Sequence, residues 1–199
     1  PPPPPPPPAP PPPPPRPWSS AASDVYKRQL LHGPEAVQQA LDRMAASITA
    51  AIGDSYPVVL CVLTGGIIPA GQLLTRLGFP LEIDYLHATR YRGATVGEQV
   101  EWVSEPGISL AGRSVLVIDD ILDEGHTLAD IQAFCRTAGA ARIYSAVLVQ
   151  KCHDRCSPEV SADCVGLEVD DRYVFGFGMD YRGQFRNLNG IYALAVNDS

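Results

Sequence analysis

Apolar side chains recur at Val37, Leu41, Met44, Ile48 and Ile52, every three or four residues along 34–52. That spacing lines one face of a helix. Pro34 suits its first turn, where a missing N–H costs nothing, and Asp54, Ser55 and Pro57 end it. The period then changes. PVVLCVL (57–63) is a short, wholly apolar run that predicts a buried strand, TGGIIPAGQLLTRLG turns through glycines into a second helix, and FPLEIDYLHA (79–88) alternates like a strand. TRYRGATVGEQVEW (89–102) is polar, carries no stripe and predicts a long mobile loop. SVLVID (114–119) and RIYSAVLVQ (142–150) predict strands on either side of the helical run LADIQAFCRTAG, which ends near Gly139. DCVGLEV (163–169), RYVFGFG (172–178) and IYALAV (191–196) predict further short strands. Strands alternating with helices predict an α/β fold, a central mainly parallel sheet flanked by helices. The last quarter has no clear helix and is expected to fold over the strand ends as a small hood.

Composition changes the picture chiefly at the start of the chain. Residues 1–17 are proline except for Ala9 and Arg16, so 15 of the 21 prolines fall there. The codons that spell SSAASDVYKRQ (19–29) resemble a transposon-type sequencing adapter. Residues 1–29 are therefore expected to lie outside the folded unit, leaving one domain over 30–199, with a core at about 34–165 and hood elements at about 166–199. A polyproline II arm for an SH3- or WW-type groove is the other reading of that segment.

The net charge of −7 becomes −9 once Arg16, Lys27, Arg28 and Asp24 are set aside. An acidic domain without a basic run offers no footprint for nucleic acid. No apolar stretch has the length of a transmembrane helix. The cysteine count of five is odd, and with no visible export signal it predicts reduced thiols and a cytoplasmic protein. Cys152, His153, Cys156 and Cys164 are zinc-ligand types, but their spacing matches no familiar zinc pattern.

The chemistry concentrates in VLVIDDILDEGHTL, residues 115–128. An apolar strand ends in Asp119 and Asp120, Asp123 follows three residues on, and Gly125, His126 and Thr127 lead into a helix. Such a junction is where α/β sheets hold ligands. Backbone N–H groups of the loop and first helical turn suit a phosphate, and the carboxylates suit sugar hydroxyls or a hydrated Mg²⁺. Together they describe a ribose 5-phosphate site. A second junction, Leu63-Thr64-Gly65-Gly66, lets backbone approach a ligand closely and adopt unusual dihedrals. Lys151 stands at the end of another strand, where on the residues alone it reads equally as a solvated terminus.

The 115–128 run resembles the phosphoribosyl pyrophosphate signature of type I phosphoribosyltransferases in composition, order and spacing. Together with Lys151 and the stretch DDRYVFGFGMDYRGQFRNL (170–188), it resembles the bacterial 6-oxopurine (hypoxanthine-guanine) branch over about residues 31–197. The resemblance implies that Asp119 and Asp120 fix the ribose and metal. It places the 5′-phosphate on Asp123, Glu124, Gly125, His126 and Thr127, and the pyrophosphate on Thr64, Gly65, Gly66 and Arg186, with a cis peptide between Leu63 and Thr64. Lys151 would face the purine 6-oxo group, Tyr173 would stack on the base, Val174 would read its edge, and Asp180 would lie near the metal. Arg90 and Tyr91 would begin a closing loop, with Arg90 where the family usually has Ser. Relatives often carry Lys or Asn where this chain has Thr64, and Thr is commoner where it has Glu124.

The implied reaction joins hypoxanthine or guanine to phosphoribosyl pyrophosphate with Mg²⁺ as cofactor and Asp123 as the base near purine N7, in a homodimer or homotetramer. Xanthine preference is the neighbouring alternative. A non-catalytic RNA-binding regulator on the same fold is the distant one, and it would need a basic face.

Overall fold

A computed structural model describes residues 28–90, 100–156 and 160–194. Its centre is a six-stranded sheet built from β2 (Val58–Leu63), β3 (Glu82–Arg90), β4 (Val100–Ser104), β5 (Ser114–Leu122), β6 (Arg142–Cys152) and β7 (Cys164–Asp170), in the order β4-β3-β2-β5-β6-β7. All neighbours are parallel except β3 and β4. The central parallel strands β2, β5 and β6 read as nearly continuous apolar runs because both faces are covered.

Alternation along each strand serves two cores. Leu116 and Ile118 face α1 (Pro34–Ile52) and α2 (Ile67–Leu74), while Val115 and Val117 face α3 (His126–Thr137). In α1 the predicted stripe is buried as expected, with Val37, Leu41, Ile48 and Ile52 at 0 % exposure and Met44 at 1 %. Burying each such side chain is worth about 1.5–3 kcal/mol. No described helix is long and apolar enough to cross a membrane.

A second, three-stranded antiparallel sheet forms the hood, in the order β1-β9-β8 from Arg28–His32, Ile191–Leu194 and Val174–Phe175. Its first strand begins at Arg28, two residues inside the segment set aside from sequence. β7 joins the main sheet, although hood elements were expected from about residue 166.

Two strand boundaries depart from the sequence reading in ways that matter for the site. β5 runs on through Asp119 and Asp120 to Leu122, so the acidic pair lies within the strand and is buried. The expected loop at 89–102 is flanked by paired strands: β3 continues to Arg90, and Val100–Ser104 returns antiparallel as the sheet edge. An edge strand needs no continuous apolar run, which is why its polar sequence gave no signal. Tyr91 lies outside the described residues.

Burial also sorts the thiols. It pushes Cys61 and Cys135 up to about 11, with the Asp119 and Asp120 charges adding to the effect at Cys61. Thiolate is the reactive form, so iodoacetamide at neutral pH is expected to label the exposed Cys152 well before either. Peptide mass spectrometry of folded protein would show this, and comparable labelling of Cys61 would contradict it.

Candidate active site

The carboxyl ends of β2 and β5 open into a cavity of about 470 Å³, lined by Leu63, Gly65, Asp119 to Leu128 and Arg186 among others. It therefore unites the acidic pair, the 123–127 loop, part of the Gly-Gly turn and one arginine from the hood. Thr64 and Gly66 belong to the same turn, while Lys151, Tyr173, Val174 and Asp180 are not among the residues that line this cavity.

Strand alternation turns Asp119 and Asp120 to opposite faces of β5, and both are 9 % exposed. The Asp120 N–H donates to Asp119 Oδ1 at 2.8 Å. Burial raises both carboxyls, and the Asp120 charge raises Asp119 further, whereas the Arg186 guanidinium partly offsets the rise at Asp120. The pair is thus short of positive charge.

Asp120 packs directly on the Gly65 turn, because a Cβ at Gly65 would lie 2.0 Å from Asp120 Oδ2. The Leu63–Thr64 peptide is cis, as the resemblance implied. Unusual dihedrals are not the reason for both glycines. Gly66 has an ordinary helical conformation, φ −64° and ψ −12°, and close approach is what the turn requires.

The loop after β5 enters α3 through Gly125, whose φ of 86° lies in the left-handed region that favours glycine. The Gly125 carbonyl accepts the first helical bond, from Ala129 N–H at 2.9 Å. No side chain caps this N-terminus, so its amides face the cavity as an anion cradle. The Thr127 side chain is half-buried beside them. Glu124 Oε2 lies 3.4 Å from His126 Nε2, and both side chains are about half exposed.

Asp123 is held by two side chains. Register places Leu122 opposite Gln150, so Asp123 and Lys151 follow at neighbouring strand ends. Lys151 Nζ donates to Asp123 Oδ2 at 2.5 Å, and His153 Nε2 lies 2.7 Å from Oδ1. Partial burial pushes Asp123 upward, but the hydrogen bonds of Lys151 and His153 outweigh it and hold the carboxyl below its usual range.

His153 and Asp171 together with Asp123 place ligand atoms within 4.8 Å of one another, close enough to share an ion. Each of those atoms already has a protein partner: Arg155 binds both Asp171 oxygens at 2.6 and 2.9 Å, and its N–H reaches His153 Nδ1 at 3.2 Å. An ion there would displace Lys151 and Arg155. The cysteines do not gather with His153, since Cys164 is buried against the Met44 carbonyl and Cys156 lies against the Gly125 loop and the Val160 carbonyl.

The hood residues form their own network. Asp180 accepts from Gly183 N–H and pairs with Arg186 at 2.7 Å. Arg186 also donates to the Gly178 carbonyl at 2.6 Å. Tyr173 is 52 % exposed, its hydroxyl tied to the Asp180 carbonyl and its ring edge-on to Tyr181, while Val174 is buried in β8.

His153, Arg155 and Asp171 were missed as site residues. A signal for His153 existed, because it stands two positions after Lys151, just past the end of the same strand.

A family model, the phosphoribosyl transferase domain, matches residues 28–182. The hypoxanthine-guanine phosphoribosyltransferase of Bacillus subtilis is 31 % identical over 86 % of this chain and 96 % of its own. The hypoxanthine-guanine-xanthine phosphoribosyltransferase of Tritrichomonas foetus is 30 % identical over 80 % of this chain and 87 % of its own. A crystal structure of a Staphylococcus aureus hypoxanthine phosphoribosyltransferase superposes with a TM-score of 0.78 at 28 % identity, covering 83 % of this chain and 90 % of that one. With its uncapped helix N-terminus, buried acidic pair and cis turn at one cavity, this chain belongs to the phosphoribosyl transferase domain family.

Proposed function

We propose that this protein transfers a 5-phosphoribosyl group from phosphoribosyl pyrophosphate to a 6-oxopurine, hypoxanthine or guanine, releasing pyrophosphate, as the names of its relatives suggest. The observation that carries the reading is the Asp123–Lys151 pair at the edge of the sugar-phosphate cavity: a carboxylate for the base N7 proton beside an ammonium for the 6-oxo group. The Gly125–Thr127 amides and the Thr127 hydroxyl hold the 5′-phosphate, with Glu124 and His126 at its rim. Asp119 and Asp120 hold the ribose hydroxyls. Thr64, Gly65, Gly66 and Arg186 hold pyrophosphate, Tyr173 stacks on the base, Val174 reads its edge, and Arg90 leads into the closing segment.

The acidic pair fits Mg²⁺, because two carboxyls raised by burial, Asp119 further by the Asp120 charge, gain from a cation that offsets both. Asp119 and Asp120 are the proposed ligands. Asp180 joins them on resemblance, although its described side-chain contacts are Gly183 and Arg186. When bound, Mg²⁺ would supply charge neutralisation for the departing pyrophosphate.

The test is pyrophosphate release with hypoxanthine, guanine, xanthine and adenine. Turnover with the 6-oxopurines and not adenine is expected, and no turnover with either hypoxanthine or guanine would overturn the reading. Replacing Lys151 with Met is expected to cut kcat/KM for hypoxanthine by about 5–150-fold, equivalent to one lost buried bond of about 1–3 kcal/mol. An unchanged hypoxanthine-to-adenine ratio in K151M would remove Lys151 from base recognition. Exposed Ile83, Tyr85 and Val103 near the β3–β4 edge offer an apolar face for the proposed homo-oligomer, which light scattering would size.

A further inference from the structure

The proposed reaction asks two things of Lys151. In the structure its ammonium is bonded to Asp123 Oδ2, yet in the reaction it faces the purine 6-oxo group. A carboxylate released by its only clamp would swing freely while it is needed as a base. Asp123, however, has a second clamp. His153 Nε2 lies 2.7 Å from Oδ1, and the imidazole side chain is only 4 % exposed although Asp123 itself is 42 % exposed.

The proton position on that ring follows from its other partner. The Arg155 backbone N–H donates to His153 Nδ1 at 3.2 Å. A nitrogen that accepts carries no hydrogen, so the hydrogen sits on Nε2 and points at Asp123. The ring is thereby a neutral donor, fixed by backbone on one side and carboxylate on the other.

We propose that His153 is a positioning residue for Asp123, holding Oδ1 through its Nε2–H while Lys151 leaves Oδ2 for the purine and frees that oxygen to face N7. The inference rests on the purine-transferase reading above. In the step it serves, the purine N9 lone pair forms the N9–C1′ bond as the C1′–O bond breaks, and that bond's electron pair departs with pyrophosphate. The N7 proton passes to Asp123 Oδ2 and afterwards to solvent. Throughout, Oδ1 keeps its bond to His153, so Oδ2 stays aimed.

The charged and titratable groups around Asp123 are Lys151 on β6, His153 and Arg155 just beyond it, Glu124 and His126 in the phosphate loop, and Asp171 after β7. Asp171 is the carboxylate placed to oppose Asp123, and Arg155 neutralises it with two hydrogen bonds while also reaching Glu124 at 3.4 Å. With that opposition offset, Lys151 and His153 hold Asp123 ionised.

The test compares His153→Ala with His153→Gln, which keeps an N–H donor near the Nε2 position. His153→Ala is expected to lower kcat by about 10- to 100-fold, the scale of a base misplaced by an ångström, with KM for phosphoribosyl pyrophosphate unchanged. The acid limb of its kcat/KM profile should move to higher pH, because Asp123 loses a donor that favours its ionised form. His153→Gln should recover most of both effects. Wild-type kcat and an unmoved acid limb in His153→Ala would overturn the proposal and leave the transferase reading intact.

A second readout needs no turnover. Nitrogen-15 NMR of the wild-type protein at neutral pH should show His153 as the Nε2–H tautomer, with that proton shifted in Asp123→Asn. The Nδ1–H tautomer or a charged ring would overturn the proposal. The expected tautomer in a protein that accepts no purine would instead sink the transferase reading and uphold the clamp.

Discussion

Asp123→Asn is expected to lower turnover by about 10²–10⁴-fold, the usual contribution of one acid–base group, while phosphoribosyl pyrophosphate still binds. The wild-type carboxylate offers an acceptor to each of two donors, Lys151 and His153. An asparagine amide offers one acceptor and one donor, so one of the two clamps must face N–H against N–H. The variant therefore loses both the proton acceptor and part of its alignment. The amides proposed to hold the 5′-phosphate are backbone of the next residues and are left in place. Rapid-quench turnover with calorimetric titration of phosphoribosyl pyrophosphate would separate the two, and undiminished turnover would remove Asp123 from the chemistry.

The sign of the pH dependence follows from the same contacts. The folded-state carboxyl lies below its ordinary value, near 3.9. Its ionised form is thus fully present above that value and is lost only as pH falls through the lower folded one. Between about pH 5 and 8 Asp123 should contribute no acid limb to wild-type kcat/KM.

Gly65→Ala has the next largest expected effect, and it acts through space alone. The added methyl would lie 2.0 Å from Asp120 Oδ2 and 2.4 Å from its Cγ. Asp120 cannot simply turn aside, because it is 9 % exposed and the hood backbone at Gly178 closes on its Cβ. Overpacking of this kind costs about 1–3 kcal/mol, read as a lowered Tm. Displacing the carboxylate proposed to hold the ribose by about an ångström should lower kcat/KM for phosphoribosyl pyrophosphate by about 10²-fold. Gly71→Ala is the matched control, since a Cβ there meets nothing within 4 Å. Equal kinetics in the two variants would show that Asp120 does not depend on the turn.

The parts of this molecule legible from sequence were those in which one local pattern decides the outcome. The α1 stripe and the apolar runs of β2, β5 and β6 announced their burial, and the spacing from Asp119 to Thr127 announced a strand-to-helix junction that lines a cavity. The rest depended on partners distant in sequence. Nothing local shows that Asp119 and Asp120 extend a buried strand, because carboxylates are rarely inside, and Asp120 is covered by Gly65 and the hood. Nothing local pairs Arg28–His32 with Ile191–Leu194. His153 was read beside the nearby cysteines, whereas its partner, Asp123, stands on a different strand.

That pairing of β1 with β9 has a consequence for biogenesis. Arg28 meets Leu194 and Gln29 meets Ala193, so a strand made before the main sheet finds its partner only when nearly the whole domain has left the ribosome. The main sheet can assemble progressively from β2 to β7, each new strand docking on one already in place or close behind. The hood closes last, by a long-range step of the kind that slows folding. Arg186 and the Gly178 turn arrive with it, so a nascent chain holds its Gly125 loop well before it holds a complete cavity.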